Sequence, residues 1–188
     1  ENWAGGDSSG TGEQLNSGVV QIFSNHYAFA ALKADGSVVT WGSSSYGGDS
    51  SAATGELTSG VVQIFSTESA FAALKGDGSV VTWGSSSYGG DSSAVEDQLS
   101  SGVVQIFSNH YAFAALKGDG SVVTWGENWA GGDSSGTGEQ LNSGILQIFS
   151  TESAFAALKE NGSVVTWGAN WAGSDSSAVA SDLTSGVT

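Results

Sequence analysis

Residues 19–42 read VVQIFSNHYAFAALKADGSVVTWG, and this stretch decides the fold. It recurs almost unchanged from Val61, Val103 and Ile145. Self-similarity at a fixed period identifies a repeat architecture. The chain consists of four 42-residue tandem repeats, at residues 17–58, 59–100, 101–142 and 143–184. Because residues 1–16 match the end of a repeat and residues 185–188 begin another, we expect a single repeat domain over residues 1–188.

Each repeat contains three short segments rich in β-branched and aromatic residues, which is typical of strands. In the first repeat they are VVQIF at 19–23, AFAALK at 28–33 and SVVTW at 37–41. Between the second and third segments, Asp35-Gly36 predicts a two-residue type I′ hairpin whose glycine has a positive φ. The equivalent pairs in the other repeats are Asp77-Gly78, Asp119-Gly120 and Asn161-Gly162.

A two-residue loop determines the pairing of the hairpin. It places Leu32 opposite Val39 and Ala30 opposite Trp41. Both faces of the sheet are then mostly apolar, whereas a sheet with one face in water alternates apolar and polar residues. A small sheet with two apolar faces needs a neighbour on each side, and tandem repeats supply such neighbours. We therefore predict that Trp41 and its equivalents are core residues: Trp83, Trp125 and Trp167.

Composition and charge limit the classes of partner. The net charge is −15, with four Lys and no Arg, and such acidity disfavours binding to the phosphates of nucleic acid. No apolar run reaches the ~18 residues of a membrane span. Cysteine is absent, so the chain has neither disulfides nor thiolate metal sites. Hydrophobic residues make up 39% of the chain in regular runs, which favours a folded domain over disorder.

The repeat resembles a known family. Its core reads FAALKADGSVVTWG, FAALKGDGSVVTWG or FAALKENGSVVTWG after a V-x-x-I strand, and this pattern resembles the regulator-of-chromosome-condensation repeat. In unit length the repeat is closest to the propeller-type β-lactamase inhibitor protein. The resemblance covers all four repeats and implies an all-β fold, a β-propeller with blades of three to four antiparallel strands. It also implies a scaffold whose loops bind a partner.

The number of blades bears on assembly. Four motifs lie at the lower end of the known range of ~4–8 blades. Unpaired strand edges invite association with further chain. We therefore expect the chain to form a homo-oligomer or to be part of a larger propeller.

The loops that follow each third strand contain the candidate binding residues. These loops combine Asn-Trp or Tyr with small polar residues, and aromatic side chains in polar surroundings contact proteins or stack on sugars. The alternative is that the rings only cover the gap between blades. The candidate residues are Asn2, Trp3, Tyr46, Tyr88, Asn128, Trp129, Asn170 and Trp171.

Two further residue types, the loop aspartates and the histidines, bear on metal binding and catalysis. One Asp per loop, followed by two Ser, favours an Asx-turn over a Ca²⁺ site, because one carboxylate per loop is few for that ion. His26 and His110 are replaced by Glu68 and Glu152 in the other repeats, which favours loop variation over acid–base catalysis. The loop aspartates are Asp7, Asp49, Asp91, Asp133 and Asp175.

The sequence therefore predicts a non-catalytic binding or scaffold module. Its partner is expected to be a protein, and it requires no cofactor or metal. The alternative function is that of a carbohydrate-binding lectin with one site per blade.

Overall fold

The computed structural model describes residues 7–187. The chain divides into two compact units, Glu1–Ser101 and Gly102–Thr188. Each unit contains two of the four repeats, so the division falls between the second and third repeats. That the four repeats form a single domain stays a prediction.

Every repeat folds into one antiparallel sheet of three strands in chain order, and the four sheets are the blades that the sequence predicts. The predicted strand positions are confirmed to within a residue. In unit 1 the strands are β1 Val19–Ser24, β2 Ala28–Lys33, β3 Val38–Gly42, β4 Val61–Ser66, β5 Ala70–Lys75 and β6 Val80–Gly84. In unit 2 they are β7 Val103–Ser108, β8 Ala112–Lys117, β9 Val122–Gly126, β10 Ile145–Ser150, β11 Ala154–Lys159 and β12 Val164–Gly168.

Short helical turns occupy the loops between repeats. One is α-helical, α1 at Glu96–Leu99. Within residues 7–187 no helix is long and apolar enough to cross a membrane. The 3₁₀ turns are Ser9–Leu15, Ser44–Tyr46, Ser51–Ala53, Ser86–Tyr88, Ser93–Val95, Asn128–Ala130, Ser135–Leu141, Asn170–Ala172 and Ser177–Leu183.

The hairpin loop differs from the prediction. Gly36 has the expected positive φ of 77°, but across residues 7–187 only glycines have a positive φ, so the type I′ turn is wrong. Lys33 N–H donates to Ser37 O at 2.9 Å, and Gly36 N–H donates to Lys33 O at 2.9 Å. These bonds define a three-residue loop, a type I turn closed by a left-handed glycine. Asp35 Oδ1 accepts the Ser37 N–H at 3.0 Å, which stabilises this turn.

The third loop residue shifts the register by one, so the predicted pairs of Leu32 with Val39 and of Ala30 with Trp41 are wrong. The observed pairs include Leu32 with Val38 and Phe29 with Trp41. The sheet therefore has different faces from those predicted, although both remain largely apolar. We call them the Trp face and the Ala face. In the first repeat the Trp face consists of Ile22, Phe29, Ala31, Val39 and Trp41, and the Ala face of Phe23, Ala28, Ala30, Leu32 and Val38.

In unit 1 the Ala face of the first repeat packs against the Trp face of the second. Ala30 and Leu32 share one buried cluster with Ile64, Phe71 and Trp83. Burying such side chains stabilises the fold by ~1.5–3 kcal/mol each. The prediction that each sheet needs a neighbouring repeat is confirmed for this pair.

Unit 2 repeats the same arrangement. Ala114 and Leu116 of the third repeat are clustered with Ile148, Phe155 and Trp167 of the fourth. The linker between the two repeats of each unit contributes one leucine to the cluster, Leu57 in unit 1 and Leu141 in unit 2. Both leucines are 3% exposed, so each pair of packed repeats buries one leucine of the linker that joins them.

The tryptophan at the end of the third strand is buried, as predicted, in three of the four repeats: Trp83, Trp125 and Trp167 are 3–4% exposed. Trp83 stacks on Phe71 at 5.3 Å, and its Nε1–H donates to Gly47 O at 3.1 Å. Trp41 is only half-buried. The Ala face of the first repeat covers Trp83, whereas residues 7–187 contain no repeat before the first one that could cover Trp41.

Candidate functional site

The loops after the third strands are held by a side chain from the turn between the first two strands. Asn25 Nδ2 donates to Tyr46 O at 2.7 Å, and Thr67 Oγ1 donates to Tyr88 O at 2.9 Å. Asn and Thr therefore perform the same task in alternate repeats. In unit 2 the equivalent bonds join Asn109 to Ala130 at 2.7 Å and Thr151 to Ala172 at 2.8 Å.

The candidate residues of unit 1 are partly covered. Tyr46 is half-buried, and its ring stacks on Tyr27 at a centroid distance of 4.4 Å. Tyr88 is also half-buried. Asn2 and Trp3 lie outside the described residues.

In unit 2 the candidate tryptophans come together at the surface. Trp129 and Trp171 belong to the loops of neighbouring repeats, and their rings stack at 6.4 Å with an interplanar angle of 29°. Trp129 also contacts Tyr111 at 4.9 Å. Trp129 is 47% exposed and Trp171 is 72% exposed. We call these three residues, Tyr111, Trp129 and Trp171, the Trp platform.

A shallow groove of about 460 Å³ lies beside the platform. It is lined by Trp129, Trp171 and Asn170, together with Gly168 and Ala169. Asn128 and Asn170 are both exposed. The groove therefore combines aromatic surface with amide hydrogen-bonding groups.

The histidines have a structural role that the sequence did not reveal. His110 Nδ1 lies 3.9 Å from Glu152 Oε1, and His110 N–H donates to Glu152 O at 3.1 Å. In unit 1 the equivalent nitrogen and oxygen of His26 and Glu68 are 3.8 Å apart. The alternation of Asn-His-Tyr with Thr-Glu-Ser therefore pairs a histidine of one repeat with a glutamate of the next.

The loop aspartates form Asx-turns, the interpretation that the sequence favours. Asp49 Oδ1, for example, accepts the Ser51 N–H at 2.8 Å. Hydrogen bonds from Ser51 hold the pKa of Asp49 below its ordinary value, because they stabilise the carboxylate form. Among residues 7–187 no cluster of three or more acidic or histidine side chains is arranged to hold a metal ion.

Sequence reasoning missed Tyr111, which extends the platform. Tyr111 lies in the turn between β7 and β8, 18 positions before Trp129 in a different loop. The available signal was the repeated Asn-His-Tyr sequence, whose tyrosine packs on the loop aromatic in both units: on Tyr46 in unit 1 and on Trp129 in unit 2.

Comparison with known proteins supplies the fold but no sequence relative. No protein-family model matches the chain, and no curated protein sequence does. Prp20p of Saccharomyces cerevisiae is similar in structure, with a TM-score of 0.53 and 19% identity over 80% of this chain and 45% of that chain. Yeast RCC1 (Prp20) bound to Kap60 gives a TM-score of 0.52 at 19% identity, over 80% of this chain and 43% of that chain.

A plant receptor shows a similar likeness. The CRINKLY WD40 ectodomain of the Arabidopsis thaliana receptor kinase ACR4 gives a TM-score of 0.50 at 15% identity, over 80% of this chain and 49% of that chain. The chain spans less than half the length of each of these structures. At these identities the likeness concerns the fold. Together with the four three-stranded sheets, it shows that this chain has the β-propeller fold of RCC1-like proteins.

Proposed function

We propose that this chain is a protein-binding module whose contact surface in unit 2 is the Trp platform. The observation that carries the proposal is the exposure of Trp129 and Trp171, at 47% and 72%, in adjacent loops. Large exposed aromatic side chains are the residues that most often anchor protein interfaces. The remaining tryptophans of unit 2, Trp125 and Trp167, are buried.

Charge indicates the chemistry of the partner. The net charge is −15, and three of the four lysines, Lys33, Lys75 and Lys159, donate to backbone carbonyls. An acidic surface attracts basic proteins over a range that salt shortens. A Lys or Arg side chain of the partner placed over an indole adds a cation–π contact of ~0.5–2 kcal/mol.

Structural neighbours offer a probe of suitable chemistry. Prp20p of yeast binds Gsp1p and histones. Histones are basic proteins, so purified core histones serve as the probe for this chain. We expect binding that weakens as the salt concentration rises.

The repeats themselves provide the test variant. Ser45 and Ser87 occupy the positions of Trp129 and Trp171 in the first two repeats and are exposed there. The double variant Trp129→Ser, Trp171→Ser therefore keeps the charge and the loop conformation. We expect it to bind histones roughly tenfold more weakly than the wild type.

The matched control is Val62→Ser, which removes an apolar side chain that is 56% exposed on a strand. It should leave binding unchanged. If the double variant also binds histones as the wild type does, charge alone accounts for binding and the platform is not the contact surface. The same variants on a glycan array test the lectin alternative: loss of a glycan signal with unchanged histone binding would establish that alternative instead.

Two other expectations remain proposals. One is that the chain has no enzymatic activity and needs no cofactor. The other is that its repeats extend into a homo-oligomer or a larger propeller.

A further inference from the structure

Repeats one and four each have one sheet face more exposed than the equivalent faces of the other repeats. On the Trp face of the first repeat, Ile22 is 57% exposed. The equivalent Ile64 in unit 1 and Ile148 in unit 2 are each 2% exposed, because the Ala face of the preceding repeat covers them. Val19 is half-buried, whereas the equivalent Val61 is buried.

The Ala face of the fourth repeat shows the complementary difference. Phe149 is 53% exposed, whereas the equivalent Phe107 packs against the buried cluster of unit 2. Leu158 is half-buried, whereas the equivalent Leu116 is 7% exposed. This face is therefore the one that, in the third repeat, covers the Trp face of its neighbour.

The two exposed faces have the sequences of two surfaces that pack together inside each unit. We propose that the chain self-associates head to tail, with the Ala face of repeat four in one copy packed against the Trp face of repeat one in the next. The joint reproduces the packing of repeat one on repeat two and of repeat three on repeat four. Because the two surfaces differ, the contact is heterologous, and it joins copies either into a closed ring or into an open array.

The two linker segments at the ends of the chain, Ser9–Leu15 and Ser177–Leu183, would compete for one place at the joint between copies. Each pair of packed repeats seats one linker leucine, such as Leu57 or Leu141. Two linkers meet at a joint between copies, and their leucines, Leu15 and Leu183, are each half-buried. The segment Ser177–Leu183 contains no buried residue, whereas Ser9–Leu15 buries Thr11. The joint therefore retains Ser9–Leu15 of the second copy and releases Ser177–Leu183 of the first.

A hydrogen bond of Val187 is lost together with this segment. Val187 N–H donates to Gly162 O at 3.0 Å, as Val61 N–H donates to Gly36 O at 3.0 Å within unit 1. At the joint, Val19 of the second copy takes the place of Val187. A chain shortened by residues 177–188 should consequently associate more tightly than the full chain, because nothing has to be displaced.

The effect of salt distinguishes self-association through this joint from binding at the Trp platform. Two copies, each with a net charge of −15, repel one another, so salt should strengthen their association. Binding of a basic protein to the platform responds to salt in the opposite direction. The joint uses strand faces and the platform uses loops, so either can fail without the other.

The experiment measures mass by light scattering during size-exclusion chromatography, over a range of chain concentrations and at low and high salt. We expect wild-type species at multiples of 18.8 kDa that grow with concentration and with salt. Ile22→Asp and Phe149→Asp should each weaken the association by more than about tenfold. Both side chains are exposed in the single chain, so at concentrations where the wild type is dissociated the variants should have its thermal unfolding temperature.

The matched control is Val20→Asp, in the same strand as Ile22. Val20 is 61% exposed, and the equivalent Val62 and Val104 remain 56% and 58% exposed, so this position stays outside the packed faces. It should associate as the wild type does. Mixing the Ile22 and Phe149 variants leaves one intact Trp face and one intact Ala face, and should restore a two-chain species and nothing larger.

A wild-type chain that remains at 18.8 kDa at every concentration and salt would overturn the proposal. So would a Val20 variant that dissociates like the Ile22 variant, because the contact would then lie elsewhere on the strand. A mixture that fails to restore the two-chain species would show that the contact is symmetric and not head to tail.

Discussion

Replacing Gly120 by Ala tests the observed hairpin loop. Gly120 has a φ of 79°, and a Cβ at this position would lie 2.8 Å from the backbone N of Gly144. An alanine in the left-handed region costs roughly 1–2 kcal/mol. The clash is with backbone, so the loop must move and strain the bond from Ile145 N–H to Gly120 O at 3.0 Å, worth ~0.5–1.5 kcal/mol. With the ~0.4–1 kcal/mol gained by restricting the unfolded chain subtracted, we expect Gly120→Ala to lower the free energy of unfolding by ~1–3 kcal/mol.

Two other glycines of unit 2 distinguish the cost of the left-handed conformation from the cost of the steric clash. Gly144 has a φ of 72°, but the nearest atom to its Cβ would be Lys159 Cε at 3.9 Å, an ordinary contact. Gly144→Ala should therefore cost only the left-handed strain, less the ~0.4–1 kcal/mol gained by restricting the unfolded chain. Gly136 has no atom within 4 Å of its Cβ position and no positive φ. Gly136→Ala should be neutral or stabilising.

The assay is urea unfolding followed by tryptophan fluorescence, with all three variants and the wild type measured together. The expected order of destabilisation is Gly120 over Gly144 over Gly136. If Gly120→Ala costs no more than Gly144→Ala, the hairpin loop does not approach the next linker as described. If both equal Gly136→Ala, the loop glycines do not need a left-handed conformation and the three-residue loop is wrong.

Two further predictions concern the core and the response to acid. Trp83→Ala should lower the free energy of unfolding by ~3–5 kcal/mol, and Trp41→Ala by clearly less, because Trp41 is half-buried; equal losses in urea unfolding would contradict this. The pKa of the hairpin aspartates is lowered by hydrogen bonds from the serine two positions later, so they stabilise the fold above their ordinary pKa of 3.8 and lose this effect as the pH falls through the lowered pKa. Asn161 makes the same two bonds in repeat four, so the triple Asp→Asn variant should keep the fold and lose less thermal stability on acidification; an unchanged acid response would contradict this. The three substituted positions are Asp35, Asp77 and Asp119.

The fold could be predicted because the sequence pattern of each element occurs four times in the chain. Three strand segments, a hairpin glycine and two apolar faces recur with the same spacing, so an error at one copy is checked by the others. The register could not be predicted in the same way. A positive φ at Gly36 is common to the two-residue and the three-residue loop, and the two differ in the conformation of Asp35. Asp35 bonds to Ser37, and that local contact decides between them.

The candidate site was predicted in part, because its residues come from loops that the sequence keeps apart. Trp129 and Trp171 were identified by composition, but their stacking depends on the packing of repeat four on repeat three. The two kinds of variable loop position also behave differently. His110 and Glu152 occupy equivalent positions of neighbouring repeats and lie in contact with each other, so packing accounts for this variation. Trp129 and Trp171 correspond to Ser45 and Ser87, and in those two loops the aromatic residue stands one position later, as Tyr46 and Tyr88. The shift changes how exposed the ring is: both tyrosines are half-buried, whereas Trp129 and Trp171 are 47% and 72% exposed. Variable loop residues that expose an aromatic ring are where binding specificity is expected on a rigid scaffold, which is why the platform, and not the histidine turns, is the surface to test.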